Sequence, residues 1–252
     1  IYIPSPINLA QQMVQDRGDA FYVFDSTAWG DGITAAVNAI TSVDTNYAAT
    51  YYPWVKLLDD TVNLPVWVPP SVVIPGVIAQ NDRVAHEWFA PAGLNRGGLR
   101  GVLEAKTRLT HAERDLLYEN RINPIASFPG QGVVVFGQKT LQSKPSALDR
   151  INVRRLLIRL KKFIASSSRY LLFENNTVAT RARFLNIVNP YLDSVQANQG
   201  LTGFRVVMDD SNNTPDVIDR NQLVGQIFIQ PARSVEFIVL DFIVQPSGAT
   251  FN

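Results

Sequence analysis

Cysteine is absent from this 252-residue chain, and histidine occurs only at His86 and His111. Without thiols there is no disulfide, no thiolate nucleophile and no cysteine metal site, and the absence says nothing about compartment. Two histidines are too few for a histidine-based metal site. Net charge is scarce as well: 23 Lys and Arg against 22 Asp and Glu leave +1 at pH 7. Any electrostatic partner must therefore be met by a local patch. No apolar run approaches the length of a membrane span, no basic-then-apolar leader opens the chain, and neither internal repeats nor low-complexity segments occur. The first residue is Ile1 rather than Met, as in a fragment or a processed product. What is present is an ordinary globular balance, 46% hydrophobic and 18% charged. That is enough for one large domain or two small ones.

The most informative stretch is 151–164, Ile-Asn-Val-Arg-Arg-Leu-Leu-Ile-Arg-Leu-Lys-Lys-Phe-Ile. Val153, Leu156, Leu157, Leu160, Phe163 and Ile164 recur at the spacing of one helical face. Arg154, Arg155, Arg159, Lys161 and Lys162 fall on the opposite arc, and Ile158 points out among them. Asn152 suits the N-cap. No acid lies between Asp149 and Glu174, although a helix that only needs solvation usually mixes signs. Two readings follow. One is a surface helix with a solvated basic face; the other is a docking helix for an acidic partner, with Ile158 at the centre of the contact. Nucleic acid suits this face poorly, because stacking aromatics are not interleaved and the overall charge is near zero.

Along the chain, 9–16 reads as a helix ended by Gly18, 20–25 as a buried strand, 33–43 as a helix and 51–58 as a second buried strand around Pro53 and Trp54. Strand, helix, strand, helix argues for an α/β fold with parallel strands. Residues 1–4 suit a short strand. Residues 71–83 can be helical, with Pro75 near the first turn. Thr110 and Glu113 form a capping box for a helix over 110–120. Residues 122–124 and 133–136 read as strands flanking the turn 129–132. Residues 178–188 read as a helix with Arg181 and Arg183 outward, extended by 191–199 and stopped by Gly200. The last fifty residues are β-rich at 204–208, 225–230 and 235–244. The final run, nearly uncharged, would aggregate as an uncovered edge, so something must pair with it.

Signals for catalysis are weak. Asp25 and Ser26 sit at a strand end, where polarity is common. His86 beside Glu87 lacks a nucleophile at a turn, and Asn81, Asp82 and Arg83 suit a helix end followed by the aromatic plug Trp88 and Phe89. Gly93, Gly97, Gly98 and Gly101, with Arg96 and Arg100, make a glycine-rich loop, but its spacing matches neither nucleotide fingerprint. The competing reading, an α/β nucleotide-binding or hydrolase-like enzyme domain, would need reactive residues at strand ends.

Several motifs taken in order resemble one family, the tail sheath proteins of contractile-tailed bacteriophages, related to R-type pyocin and type VI secretion sheaths. They are Tyr51-Tyr52-Pro53-Trp54-Val55; Val68-Pro69-Pro70-Ser71 leading to Gly76-Val77-Ile78-Ala79; and Ala90-Pro91-Ala92-Gly93. Two more follow: Ile151-Asn152-Val153-Arg154-Arg155-Leu156, and Pro231-Ala232-Arg233 before Glu236-Phe237-Ile238. The resemblance implies an α/β sandwich with a mixed sheet flanked by helices, and a C-terminal β-rich segment open to strand exchange between subunits. It implies that 1–245 is the conserved sheath core: an α/β part over 1–150, the basic helix 151–165, and a helix and β-rich part 166–245. Residues 246–252 would be a C-terminal arm. Variable outer domains and an N-terminal arm, which family members usually carry upstream, would be absent from this chain.

The function so implied is mechanical and needs no catalytic, cofactor or metal site. Subunits stack as a helical homo-oligomer around a rigid tube and contract, driving the tube through a cell envelope during host entry. Free energy is then stored in subunit contacts. Expected partners are the tail tube protein, the baseplate and the tail terminator, without nucleic acid or membrane insertion. The expected location is the virion, after assembly in the host cytoplasm. Arg154, Arg155, Ile158, Arg159, Lys161 and Lys162 are expected to face the tube. Phe237, Ile238, Val239, Leu240, Phe242 and Phe251 are expected to carry the inter-subunit strand, unless 235–244 is simply a central strand of its own domain.

Overall fold

The computed structural model describes residues 6–59 and 61–238. Four strands form the main sheet: β1 (Tyr22–Phe24), β2 (Ala48–Tyr52), β6 (Ile122–Phe128) and β7 (Gly132–Val135), in the order β1-β2-β6-β7. β1, β2 and β6 are parallel, and the β6–β7 hairpin adds an antiparallel edge. The sheet is thus mixed, as expected. All five residues of β2 are buried, which its near-continuous apolar sequence requires of a strand covered on both faces.

Alternation along β2 feeds two cores. Ala49 and Tyr51 pack with Ile74 and Val77 of α3 (Pro70–Val84). Ala48 and Tyr52 pack on the opposite face with Ala36 and Ile40 of α2 (Ile33–Ile40) and Leu117 of α4 (His111–Glu119). Thr110 and Glu113 form the capping box of α4. α1 (Pro6–Arg17) ends at Gly18, whose φ of 66° is the left-handed turn glycine favours.

The single strand expected over 51–58 is two. Pro53, which has no N–H to give a ladder, separates β2 from β3 (Val55–Asp59). β3 joins a second, antiparallel sheet with β4 (Leu64–Val68) and β5 (Val102–Ala105), in the order β4-β3-β5.

The C-terminal part is a third layer. α5 (Ile151–Ser168) and α6 (Val178–Ala197) pack with β8 (Leu201–Val207) and β9 (Gln226–Pro231), and the short α7 (Pro215–Asp219) lies between these strands in sequence. α5 belongs to both parts of the molecule. Ile151 is buried in the α3-side core, and Leu156 and Leu160 are buried in the core shared with α6. α6 runs through Pro190 without ending. Arg181, expected outward, is buried: it donates to Asn176 Oδ1 at 2.9 Å and pairs with Asp210 at 2.5 Å. The expected strand at 1–4 and most of the run 235–244 lie outside the described residues.

Candidate assembly interface

The basic arc of α5 is divided along its length. Arg154 is buried, its Nη2 donating to Asn46 Oδ1 at 2.5 Å and its guanidinium lying 4.0 Å from the ring centre of Tyr47. Burial lowers its pKa. Arg155 pairs with Asp82 and donates to the Glu87 carbonyl at 3.1 Å. Arg159 lies 3.5 Å from Glu87. The acids missing from the helix's own stretch are therefore supplied by the end of α3 and the loop after it, some seventy positions upstream. Three of the five basic residues expected at a tube face are held within the subunit, and Ile158 is half-buried. Lys161 and Lys162 remain exposed.

Past these lysines the helix ends in a short 3-10 turn, Arg169–Leu171, that presents apolar side chains to solvent. Tyr170, Leu172 and Phe173 are all exposed. Phe173 also sits at φ 68°, a conformation costly for a bulky residue.

Asn152, expected to cap α5, lies inside its first turn and Arg150 holds the N-cap without capping. Asn152 instead donates to the Trp88 carbonyl and to Ser234 Oγ, both at 3.3 Å. Ser234 belongs to the segment that follows β9. That segment is held again two residues on, at Glu236. Arg150 donates to the Glu236 carboxylate from Nε at 2.6 Å and Nη2 at 2.8 Å, and Gln138 Nε2 donates to it at 3.2 Å. Burial pushes the nearby Tyr118 hydroxyl pKa up, and the Glu236 charge adds to the rise. Beyond this point Phe237 and Ile238 are 77% and 78% exposed. The described part of the expected strand, 235–238, forms no strand and has no strand partner among the described residues. Val239, Leu240, Phe242 and Phe251 lie outside the described residues.

Sequence reasoning missed the Arg150–Glu236 pair. The available signal was an acid in an otherwise apolar run, since a lone carboxylate there needs a partner.

The β8–β9 ladder is a two-stranded sheet, so among the described residues each strand has one unpaired edge. Ile227 and Ile229 pack on the helices, whereas Phe228 on the other face is 55% exposed.

Of the residues weighed for catalysis, Ser26 has a buried hydroxyl without a hydrogen-bond partner, whereas Asp25 and His86 have structural partners. Asp25 accepts from Ser71 N at 2.9 Å and Ser71 Oγ at 2.5 Å, and so caps α3 from the end of β1. His86 stacks on Trp88 with ring centres 4.5 Å apart. The glycine-rich loop runs beside β7, where Gly97 donates to Gly93 O, Val135 donates to Gly97 O and Leu99 donates to Val133 O. Its backbone is thus engaged instead of opening a helix toward a phosphate. A Cβ at Gly97 would stand 2.5 Å from the Val135 carbonyl oxygen, which explains the glycine. Among the described residues no His, Asp and Glu group is placed to hold a metal ion.

Among the described residues the β8–β9 sheet is open at both edges, residues 235–238 pair with no strand, and the end of α5 exposes basic and apolar side chains; open edges are templates for strand addition. Comparison with known proteins agrees. Family models for the phage tail sheath protein central domain and the phage tail sheath C-terminal domain match residues 6–141 and 143–245. The chain belongs to the phage tail sheath family. It is 39% identical over 245 residues to the tail sheath protein of Vibrio phage KVP40, covering 96% of this chain and 36% of that protein. It is 45% identical over 186 residues to the tail sheath protein of Enterobacteria phage T4, covering 74% and 28%. The chain thus spans about a third of the length of these relatives.

Solved structures extend the likeness to contractile injection systems. The sheath complex of an extracellular contractile injection system (PVC) in the contracted state superposes with a TM-score of 0.84 at 29% identity, over 94% of this chain and 68% of that one. The helical sheath of the anti-feeding prophage in the contracted state gives 0.78 at 28% identity, over 93% and 64%.

Proposed function

We propose that this chain is the core of a contractile tail sheath subunit, which polymerises helically around a tail tube and contracts to drive it through the host envelope. The observation that carries this reading is the pairing of sheath-family matches over 6–141 and 143–245 with a β8–β9 sheet that, among the described residues, has two unpaired edges. Open edges offer a row of backbone donors and acceptors for strand addition. The apolar stretch from Phe237 onward has the composition of a strand that a neighbouring copy would accept. Partners of the assembly are the tail tube, the baseplate and the terminator, and its location is the virion.

The tube-facing surface is the C-terminal half of α5 with the turn after it: Lys161, Lys162 and Arg169, beside Tyr170, Leu172 and Phe173. Arg154 and Arg155 support this surface from within. Exposed ion pairs contribute about 0–1 kcal/mol each, so a ring of subunits can hold a tube firmly and still release it.

Two variants of the sheath subunit test the reading. A chain ending after Ile238 is expected to fold and to lose polymerisation on tubes. Lys161→Glu with Lys162→Glu is expected to leave subunit stability within about 0.5 kcal/mol and to abolish growth on tubes. Normal sheaths from the truncated chain would overturn strand exchange, and normal tube binding by the double variant would overturn the tube face.

A further inference from the structure

We infer that Arg150, Gln138 and Asn152 form a mooring site for the C-terminal segment, which sets the point where the connecting strand leaves the subunit. This rests on the strand-exchange reading above and names the residues that position the connector.

The geometry is that of a built socket. Ala232 N donates to Gly200 O at 3.1 Å, continuing the chain off β9. Ser234 Oγ accepts from Gln138 Nε2 at 3.0 Å and from Asn152 Nδ2 at 3.3 Å. Glu236 takes the two-pronged contact from Arg150 and a further hydrogen bond from Gln138. Gln138 and Asn152 are 3% and 4% exposed, so the socket is held by the core and not by mobile surface chains. Ser234 is an exposed residue whose hydroxyl alone reaches the socket, Glu236 is half-buried, and Val235 is exposed. Phe237 and Ile238, the last described residues, are exposed.

Arg150 is otherwise hard to explain. It occupies the N-cap of α5, where a side-chain acceptor is favoured and a cation faces the positive end of the helix dipole. Its guanidinium makes no cap contact. It is committed to Glu236 and to Asp149, at 3.0 Å, with Lys139 and Tyr118 as its other charged or titratable neighbours. A bidentate arginine–carboxylate pair fixes direction as well as distance. The Glu236 charge also offsets the cation at this helix end.

The mooring has a mechanical consequence. Arg150 and Asn152 lie at the start of α5, and Lys161 and Lys162 lie about 16 Å further along the same rod. Load on the connector therefore arrives at the helix that carries the tube-facing surface.

The test uses the sheath subunit carrying Glu236→Gln, the exchanged pair Arg150→Glu with Glu236→Arg, and the chain ending after Ile238. Amide exchange over 232–238 is measured in the free subunit, and sheath growth on tubes is scored by electron microscopy. Glu236→Gln is expected to speed exchange over 232–236 at least tenfold, with global unfolding unchanged, and to cut sheath yield at least tenfold. The exchanged pair places an acid at the N-cap and is expected to restore both to within about threefold. Undiminished protection in Glu236→Gln overturns the mooring, as does an exchanged pair that folds without restoring it. Fast exchange with normal sheath growth overturns its role in assembly, provided the truncated chain fails to assemble. If the truncated chain assembles normally, strand exchange itself is wrong, and the amide-exchange result still decides whether Glu236 moors the segment.

Discussion

The central sheet and the C-terminal sheet are built from similar residues and finished differently. Every residue of β2 is buried, with helices on both faces and strands on both edges. β9 alternates between half-buried and exposed positions and has one strand neighbour among the described residues. The first sheet satisfies its own backbone and side chains within the subunit. Among the described residues the second leaves two unpaired edges and, on a face that otherwise carries Thr202, Arg205, Gln226 and Gln230, the exposed aromatic ring of Phe228. On the proposed reading, subunit stability and assembly draw on separate layers, and α5 contributes buried residues to the cores of both.

The sharpest way to break this comparison is to damage the closed layer. Tyr51 is 1% exposed at the centre of β2. Tyr51→Ala should destabilise the subunit by about 3–5 kcal/mol, through lost burial and a cavity that α3 cannot fill. Equilibrium denaturation measures this. A loss below about 1 kcal/mol would mean that the α3-side core is not what holds the subunit together.

The second-largest effect separates the two ends of α5. Arg154→Met removes the hydrogen bond to Asn46 and the contact with the Tyr47 ring, and should cost about 1–2 kcal/mol. Lys162→Met should change stability by no more than about 0.5 kcal/mol. Equal effects would erase the distinction between a structural and a surface half of the helix.

That distinction marks how far the sequence could be read. Periodicity located α5 and identified its buried stripe, since apolar spacing depends only on local geometry. It could not tell which arginines are free, because Asp82 and Glu87 reach them through tertiary packing. The capping box of α4 was legible, being a contact across three residues. The apolar run 51–58 looks continuous, but Pro53 cannot donate to a ladder and divides it into two strands that join different sheets. Strand character at 235–238 was inferred from composition, yet a strand needs a partner, which the described residues of a single subunit do not supply. The Arg150–Glu236 contact spans 86 positions and leaves no periodic trace.

A smaller effect lies at the rim of the closed layer. Thr110 Oγ1 accepts from Glu113 N, and the Glu113 carboxylate accepts from Thr110 N at 2.7 Å. Thr110→Ala should cost about 0.5–1 kcal/mol. The backbone hydrogen bond from Thr110, then its hydroxyl, lowers the Glu113 pKa. A folded-state pKa below the unfolded one gives a contribution fully present above the unfolded value and lost as pH falls through the folded one. Glu113→Gln should therefore flatten the acid limb of stability against pH below about 4.5. An unchanged acid limb in that variant would show that the carboxylate is not engaged in solution.

The smallest effect on the subunit should come from the open layer. Phe228 lies opposite Arg205 in the β8–β9 ladder and is 55% exposed. Phe228→Thr keeps a strand-favouring residue and removes an aromatic side chain from the exposed face. Subunit stability should shift by no more than about 0.5 kcal/mol in either direction. If neighbouring copies complete this sheet, the aromatic ring becomes buried only in the polymer, so its loss should appear there. Disassembly of preformed sheaths by denaturant should then begin at a lower concentration in the variant, while unfolding of the free subunit is unchanged. A variant that loses several kcal/mol as a free subunit would show that the β8–β9 face already contributes to the closed core. A variant unchanged in both states would mean that assembly uses the sheet edges alone and leaves this face to solvent.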